Sequence, residues 1–176
     1  MSQRDSGFER KERDLYETPE WVTMALLDAG MRPPSVVWEP ASGSGKMVRA
    51  LGILDAEIVG SDIHEGQDFF STEPPCGCDA IITNPPYGQA ADFIQRSIAL
   101  MQPSFGQVAM LLRTDFDHAR TRGNLFAGHT AFSRKLVLTK RIRWFEDSTG
   151  SPSFNHAWFI WDWKHQGAPT LAYGPQ

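Results

Sequence analysis

The segment Asn84-Pro85-Pro86-Tyr87 contains the residue types that point most directly to chemistry. Its two prolines lack backbone donors and stiffen the chain, so the Asn84 side-chain oxygen and the Pro85 carbonyl can point at one ligand group. Tyr87 offers a flat ring face beside them. The segment predicts a site for a planar group carrying an NH₂, which would donate two hydrogen bonds and stack. A rigid turn with a buried tyrosine is the alternative.

A glycine-rich turn, EPASGSG from Glu39 to Gly45, lies between a predicted strand and a predicted helix. Its small residues would let a ligand approach the backbone closely. A phosphate-cradling loop would need glycine at Pro40 and serine or threonine at Met47, and a dinucleotide fingerprint would need glycine at Val48. The acidic residue before the turn instead favours a ligand with an amino-acid end. A glycine-rich turn without a ligand is the alternative.

Three further residues could contact a nucleoside. Asp62 ends the next predicted strand, where a carboxylate can accept both hydroxyls of a ribose or can cap the following turn. Asp68 could accept from an exocyclic amine while Phe69 packs on a purine. A loop aspartate beside a core phenylalanine is an equal alternative.

The composition excludes several classes of protein. No apolar run approaches the roughly 18 residues of a membrane span, and polar residues follow Met1, so neither a span nor a secretory leader is predicted. The only two cysteines, Cys76 and Cys78, are too close together to form a structural disulfide and have no second ligand pair. We therefore predict no metal site and a reducing, cytoplasmic compartment. None of the five histidines is assigned a role.

The formal net charge of −4 argues against a nucleic-acid partner, but the charge is unevenly distributed. Between Arg113 and Arg143 there are eight basic residues and only two acidic ones. We call this segment the basic strip. It favours a basic, phosphate-binding face on an acidic body, and a solvated surface is the alternative.

Apolar runs alternate along the chain with helical patterns. Strands are predicted at 35–39, 57–61, 79–83, 107–112, 135–139 and 157–163, and helices at 19–30, 46–51 and 90–101. This order predicts an α/β fold, a single-domain, mostly parallel twisted sheet with helices on both faces and an antiparallel edge strand at 157–163. Residues 1–14 are predicted to be a mobile N-terminal arm, 15–165 the catalytic domain and 166–176 a C-terminal tail.

The order of these motifs resembles that of class I S-adenosylmethionine-dependent amino methyltransferases of the NPPY type, and most of all the DNA N6-adenine methyltransferases. The matching motifs are YETP at 16–19, EPASGSG at 39–45, SDI at 61–63, DF at 68–69 and NPPY at 84–87. The likeness covers roughly 16–163 and implies a Rossmann-like fold. NPPY is specific for methylation of a planar nitrogen, whereas the other motifs indicate only class I. Ala41 stands where many class I members have glycine, but adenine methyltransferases often have an alanine at this position.

The resemblance implies a role for each matched residue. Thr18 would contact the methionine carboxylate of S-adenosylmethionine, and Asp62 would hold its ribose hydroxyls. Ile63 and Phe69 would enclose its adenine. The implied cofactor-binding residues are Tyr16, Thr18, Glu39, Ala41, Gly43, Gly45, Asp62, Ile63, Asp68 and Phe69. The implied catalytic residues are Asn84, Pro85, Pro86 and Tyr87, of which Tyr87 would stack on the target base. The candidate substrate-binding residues are Arg113, Arg141, Arg143, Phe154 and Asn155, with a core position as the alternative for Phe154.

The implied activity is methyl transfer from S-adenosylmethionine to the N6 amino group of adenine in DNA, with little or no separate sequence-recognition domain. The alternatives are adenine in RNA, then a glutamine side chain of a protein, or a subunit of a heteromeric methyltransferase. The expected partner is nucleic acid, DNA rather than RNA, with a partner chain or homodimer as a further expectation. No membrane and no metal are expected.

Overall fold

The computed structural model describes residues 16–33, 35–144 and 154–175. The predicted arm at 1–14 lies outside these ranges. The α-helices are α1 (Glu20–Asp28), α2 (Lys46–Leu51) and α3 (Ala90–Met101). The strands are β1 (Val36–Glu39), β2 (Glu57–Gly60), β3 (Cys78–Thr83), β4 (Gln107–Arg113), β5 (Phe132–Leu138), β6 (His156–Asp162) and β7 (Thr170–Gly174). Short 3₁₀-helices lie at Ile63–Glu65, Tyr87–Gln89, Phe116–His118 and Arg120–Leu125.

The seven strands form one sheet in the order β2-β1-β3-β4-β6-β5-β7. Only β6 runs against its neighbours, because β4 and β5 both pair with it antiparallel while the other pairings are parallel. All four residues of β1 are buried, as expected for a parallel strand that is covered on both faces. The predicted mostly parallel α/β fold is confirmed.

Two details of that prediction are wrong. The antiparallel strand β6 is not at the edge of the sheet but between β4 and β5. The edge is instead formed by β7, which lies inside the segment predicted as a tail and pairs in parallel with β5. The glycines and prolines around β7 are typical of a chain terminus without secondary structure. The pairing of β7 with β5 is a long-range contact that local composition does not predict.

Helices cover both faces of the sheet and create two hydrophobic cores. One core joins α1 and α2 to the sheet, with Leu26 and Leu51 fully buried. The other joins α3 to the opposite face and includes Ile94 and Phe93. The buried indole of Trp158 donates to the Val22 carbonyl at 2.9 Å, so it ties α1 to β6 without leaving a buried donor unpaired.

The strand order creates the place for a ligand. The chain leaves β1 toward β2 on one side, whereas β3 and β4 lie on the other side. In open parallel sheets, a crevice opens outside the carboxyl ends of the strands where the order changes direction. The predicted motifs at 39–45 and 84–87 follow β1 and β3, so they meet at this crevice.

Candidate functional site

A cleft occupies the crevice at the carboxyl ends of β1, β2 and β3. It is lined by Tyr16, Glu17, Thr18, Glu39, Pro40, Ala41, Ser42, Gly43, Ser44, Lys46, Met47, Asp62, Ile63, His64, Asp68, Phe69, Phe70, Asn84, Pro85, Pro86, Tyr87, Gln89 and Phe93. Every predicted cofactor-binding and catalytic residue except Gly45 lines it. Four segments that are distant in the sequence therefore share one site.

Glu39, the last residue of β1, is 1% exposed. Its Oε1 accepts from the Ala41 amide at 3.1 Å and from the Thr83 hydroxyl at 2.5 Å. Its Oε2 is buried and has no hydrogen-bond partner among the described residues. Burial raises the pKa of this carboxyl to about 8, although the bonds from Thr83 and Ala41 act in the opposite direction. Glu39 is therefore protonated below about pH 8, and its Oε2 can accept from a cationic donor once that proton leaves.

The glycine-rich turn is closed by Asp62. The Gly43 amide donates to Asp62 Oδ2 at 2.8 Å, and the His64 amide donates to Oδ1 at 2.9 Å. Asp62 therefore caps the turn, as the alternative interpretation expected, and each oxygen retains a second lone pair. Gly43 and Gly45 have φ of 51° and 76°, the left-handed region that favours glycine. Gly45 shapes this turn and is not among the lining residues.

Aromatic side chains anchor one wall of the cleft. Phe69 is 2% exposed and stacks on Phe93 with ring centroids 4.4 Å apart, so it belongs to the core and also to the cleft lining. Asp68 accepts from the Phe70 amide at 3.1 Å. Ile63 is 64% exposed, which leaves an apolar surface at the rim of the cleft.

The predicted catalytic segment has a defined orientation. Asn84 Nδ2 donates to the Tyr16 backbone carbonyl at 3.1 Å, so its Oδ1 is the side-chain atom that can accept a further hydrogen bond. Pro85 is buried and Pro86 exposed. The Tyr87 side chain is 36% exposed at the cleft. An amide oxygen, a carbonyl and a ring face therefore lie within one short segment.

Tyr87 belongs to a group of four rings, the aromatic cluster, that sequence reasoning missed. Its members are Tyr16, Tyr87, Trp144 and His156. The ring centroids are 6.0 Å apart for Tyr16 and Tyr87, and 5.4 Å apart for Tyr16 and Trp144. The separations are 5.2 Å for Trp144 and His156, and 6.5 Å for His156 and Tyr87. Each ring contacts two of the others, so the contacts form a closed circuit. No spacing in the sequence predicts this group.

The predicted substrate-binding residues lie mostly together. Arg113 binds Asp115 through two hydrogen bonds of 3.1 and 2.8 Å, and its guanidinium lies 4.2 Å from the centroid of the Phe154 ring. Arg141 Nε donates to Asn155 Oδ1 at 2.9 Å. Arg143 is exposed two residues further along. Two arginines therefore hold the 154–155 segment, and the charge of Arg113 is partly neutralised by Asp115.

Lys46 is a second residue that sequence reasoning missed. It is the only lysine or arginine among the described residues that line the cleft. Its side chain is 37% exposed, and Nζ lies 3.9 Å from the Glu17 carboxylate. The available signal in the sequence is Lys46 itself, directly after Gly45 at the start of the helix that follows the glycine-rich turn. Lys46 offers a cation to an anionic ligand group.

Neither a metal centre nor a membrane span is found in the part of the chain that the structure describes. Across residues 16–33, 35–144 and 154–175, no three histidine, cysteine, aspartate or glutamate side chains are grouped to hold a metal ion. Likewise, none of the helices in these ranges has the length and apolar content that crossing a bilayer would require.

Comparison with protein-family models found no match, and comparison with curated proteins found none either. Solved structures do match. A protein described as a class I S-adenosylmethionine-dependent methyltransferase from Listeria monocytogenes is 11% identical, with a TM-score of 0.59, and the match covers 92% of this chain and 66% of that one. A type I restriction-modification methyltransferase subunit from Streptococcus thermophilus is 13% identical, with a TM-score of 0.55 and coverage of 83% and 43%.

A precorrin-6y C5,15-methyltransferase from Geobacter metallireducens is 15% identical, with a TM-score of 0.52 and coverage of 92% and 96%. This chain thus spans about two thirds and less than half of the first two proteins, and nearly all of the third. All three are described as methyltransferases, and at identities this low the likeness shows a shared fold alone. The chain therefore has the Rossmann-like fold of class I S-adenosylmethionine-dependent methyltransferases.

Proposed function

We propose that this protein transfers a methyl group from S-adenosylmethionine to the N6 amino group of adenine in DNA. The observation that carries the proposal is the orientation of Asn84. Its Nδ2 is occupied by the Tyr16 carbonyl, so its Oδ1 is available beside the Pro85 carbonyl and the Tyr87 ring. Two acceptors beside a ring face suit a planar amine.

The cleft also suits the amino-acid end of the cofactor. Oε2 of Glu39 is buried without a partner among the described residues, and an ammonium group would satisfy it once the carboxyl releases its proton. Lys46 lines the same cleft and could pair with a carboxylate. Asp62 lines it with lone pairs left for ribose hydroxyls. Bound S-adenosylmethionine would supply an electrophilic methyl group on a sulfonium sulfur.

The residues of the NPPY segment would make the target amine reactive. An aryl amine is a poor nucleophile because its lone pair is delocalised into the ring. Acceptors at Asn84 Oδ1 and the Pro85 carbonyl draw its two hydrogens toward a tetrahedral arrangement, which localises the lone pair. Asn84 and the Pro85 carbonyl would thus aim this lone pair at the methyl group of bound S-adenosylmethionine, whose carbon–sulfur bond would break as the nitrogen–carbon bond formed. The cationic nitrogen would then lose its proton to water, so a strong base would not be required beforehand.

DNA is the proposed substrate on two grounds. In the basic strip, Arg141 binds Asn155, the residue next to Phe154, and Arg143 is exposed two residues further along, which suits a phosphate backbone. One structure with the same fold is a restriction-modification methyltransferase subunit. In duplex DNA the adenine must leave the stack at a cost of a few kcal/mol, and stacking on Tyr87 would offset part of this cost.

Tritiated methyl transfer tests the proposal. Duplex DNA, single-stranded DNA, total RNA and a protein extract are each offered to the wild-type chain, the Asn84→Ala variant and the Gln102→Ala control. Gln102 is an exposed side-chain amide outside both the cleft and the basic strip. We expect label in DNA, a loss of roughly 100-fold or more with Asn84→Ala, and wild-type activity with the control. Binding of S-adenosylmethionine, measured by calorimetry, should change little in either variant.

The other outcomes separate the alternatives. Label in RNA rather than DNA would support the proposed methylation of an adenine amine but would show that RNA is the substrate. Label in protein alone, or activity that Asn84→Ala leaves unchanged, would overturn the nucleic-acid proposal.

A further inference from the structure

His156, the first residue of β6, contacts the residue proposed to hold the target base. Its Nε2 lies 3.0 Å from the Tyr87 hydroxyl, although the two residues are 69 positions apart in the sequence. His156 is 2% exposed. The contact is therefore a partly buried link between β6 and the segment that follows β3.

The chemistry of the two groups gives this hydrogen bond a direction. Burial, together with the positive charge of Arg113, lowers the pKa of His156 to about 4, so the imidazole is neutral near pH 7. A phenol is a much stronger acid than a neutral imidazole N–H, so the Tyr87 hydroxyl is the better donor and an imidazole nitrogen the better acceptor.

We propose that His156 is a positioning residue for Tyr87: its Nε2 accepts the Tyr87 hydroxyl proton and holds the tyrosine ring at the cleft. The inference rests on the proposed function, because it assigns the held ring to stacking on the target base. It goes beyond the NPPY segment itself, because His156 lies on another strand and lines no part of the cleft.

The aromatic cluster gives the hydrogen bond its mechanical effect. The Trp144 ring packs edge-on against His156 and against Tyr16, with ring centroids 5.2 and 5.4 Å apart. The Tyr16 ring in turn packs on Tyr87, with centroids 6.0 Å apart. Tyr87 is thus held through its hydroxyl by His156 and through its ring by Tyr16. A ring held in one orientation loses less freedom when a base stacks on it, so more of the stacking energy remains for binding.

The direction of the bond also has an electronic effect. A phenol that donates its proton to an acceptor becomes richer in electrons across its ring. The target base gains positive charge as the methyl group arrives, and an electron-rich ring face attracts a cation. His156 would therefore favour the charged transition state over the neutral bound base, so its loss should lower kcat more than it raises KM for DNA.

A double-mutant cycle tests the link through Tyr87→Phe, His156→Gln and the double variant. Tyr87→Phe retains the ring and removes only the hydroxyl. We expect each single variant to lower kcat/KM for DNA about tenfold, and the double variant to lose no more than either single one. The matched control is His165→Gln, which replaces a half-buried histidine that lies outside both the cleft and the basic strip. The control should retain wild-type kinetics.

Nitrogen-15 NMR of the imidazole gives a readout that does not need activity. In the wild-type chain Nε2 of His156 should have the shift of an unprotonated acceptor, and its signal should move when Tyr87→Phe removes the donor. This measurement retains His156, so it remains decisive if His156→Gln does not fold. Losses that multiply in the double variant, or a protonated Nε2, would overturn the inference. A wild-type chain that labels no nucleic acid would instead overturn the proposed function, while the NMR result would still report on the hydrogen bond.

Discussion

Replacing Glu39 with glutamine should change how the stability of this protein depends on pH. Glu39 is 1% exposed, and its pKa is raised from 4.5 to about 8, chiefly because of burial. Between these values the carboxyl is ionised in the unfolded chain and protonated in the folded one. The unfolded state then binds fewer protons, so the free energy of unfolding falls as pH rises from 4.5 toward 8.

The size of the effect follows from that rise in pKa. One pH unit corresponds to about 1.36 kcal/mol, so the contribution lost across the window from 4.5 to about 8 is roughly 5 kcal/mol. A glutamine retains an oxygen that can accept from Ala41 and Thr83, but it does not ionise. The Glu39→Gln variant should therefore gain stability relative to the wild-type chain by up to about 1.36 kcal/mol for each pH unit within this window.

Urea denaturation at pH 5, 6, 7 and 8 and constant ionic strength measures this difference. All other titrating groups, including His156, are shared by both proteins and largely cancel in the comparison. The control is Glu57→Gln, at an exposed glutamate on β2, which should leave the pH dependence parallel to that of the wild type. Parallel curves for Glu39→Gln would refute the assignment of a protonated, buried carboxyl to Glu39.

S-adenosylmethionine extends the same test to the proposed function. If its ammonium group pairs with Glu39, binding must release the proton of this carboxyl. The affinity should then rise with pH, by up to about tenfold per unit below pH 8, in the wild-type chain but not in the variant. If the stabilities differ but the affinity does not change with pH, Glu39 is a protonated, buried carboxyl that does not pair with the cofactor.

Two further substitutions probe the cleft and the sheet. Lys46→Met should weaken S-adenosylmethionine binding about tenfold at low salt, because the carboxylate of the cofactor loses its cationic partner. The exposed control Lys164→Met should bind like the wild type. Calorimetry measures both affinities, and equal values for the two variants would show that Lys46 does not bind the cofactor. Gly106→Ala would place Cβ 2.5 Å from the Asp79 carbonyl oxygen and should lower the free energy of unfolding, measured with urea, by about 1–3 kcal/mol. Gly123→Ala has open space around its Cβ and should lower it less. Equal losses of stability in the two variants would contradict this steric argument.

Much of the cleft could be predicted from local sequence. Glu39, Asp62 and Asn84 each follow an apolar run that forms a strand. The carboxyl ends of parallel strands meet at one edge of a sheet, so the three side chains were expected to share a site. The predicted helices at 46–51 and 90–101 have the bounds found in the structure, because glycine-bounded or amphipathic segments indicate their own ends.

The details that sequence reasoning missed depend on pairings across the sheet. The position of β6 between β4 and β5 places His156 opposite Arg113 and beside Tyr87. The pairing of β7 with β5 was likewise hidden by a tail-like composition. The sequence shows that a polar side chain at the end of a strand is placed to bind a ligand. It does not show whether a neighbouring residue already forms hydrogen bonds with that side chain. Asp62 illustrates this, because both of its oxygens accept backbone amides.

The sequence by itself determined the parallel α/β fold and the strand ends at which the chemistry-bearing motifs meet, because hydrophobic periodicity and turn residues are local properties. The tertiary structure alone decided which atoms remain available there. It left Glu39 Oε2 without a partner among the described residues, turned the Asn84 oxygen away from Tyr16 and joined Tyr87 to His156. Burial and strand register produce these states, and both depend on residues far apart in the chain.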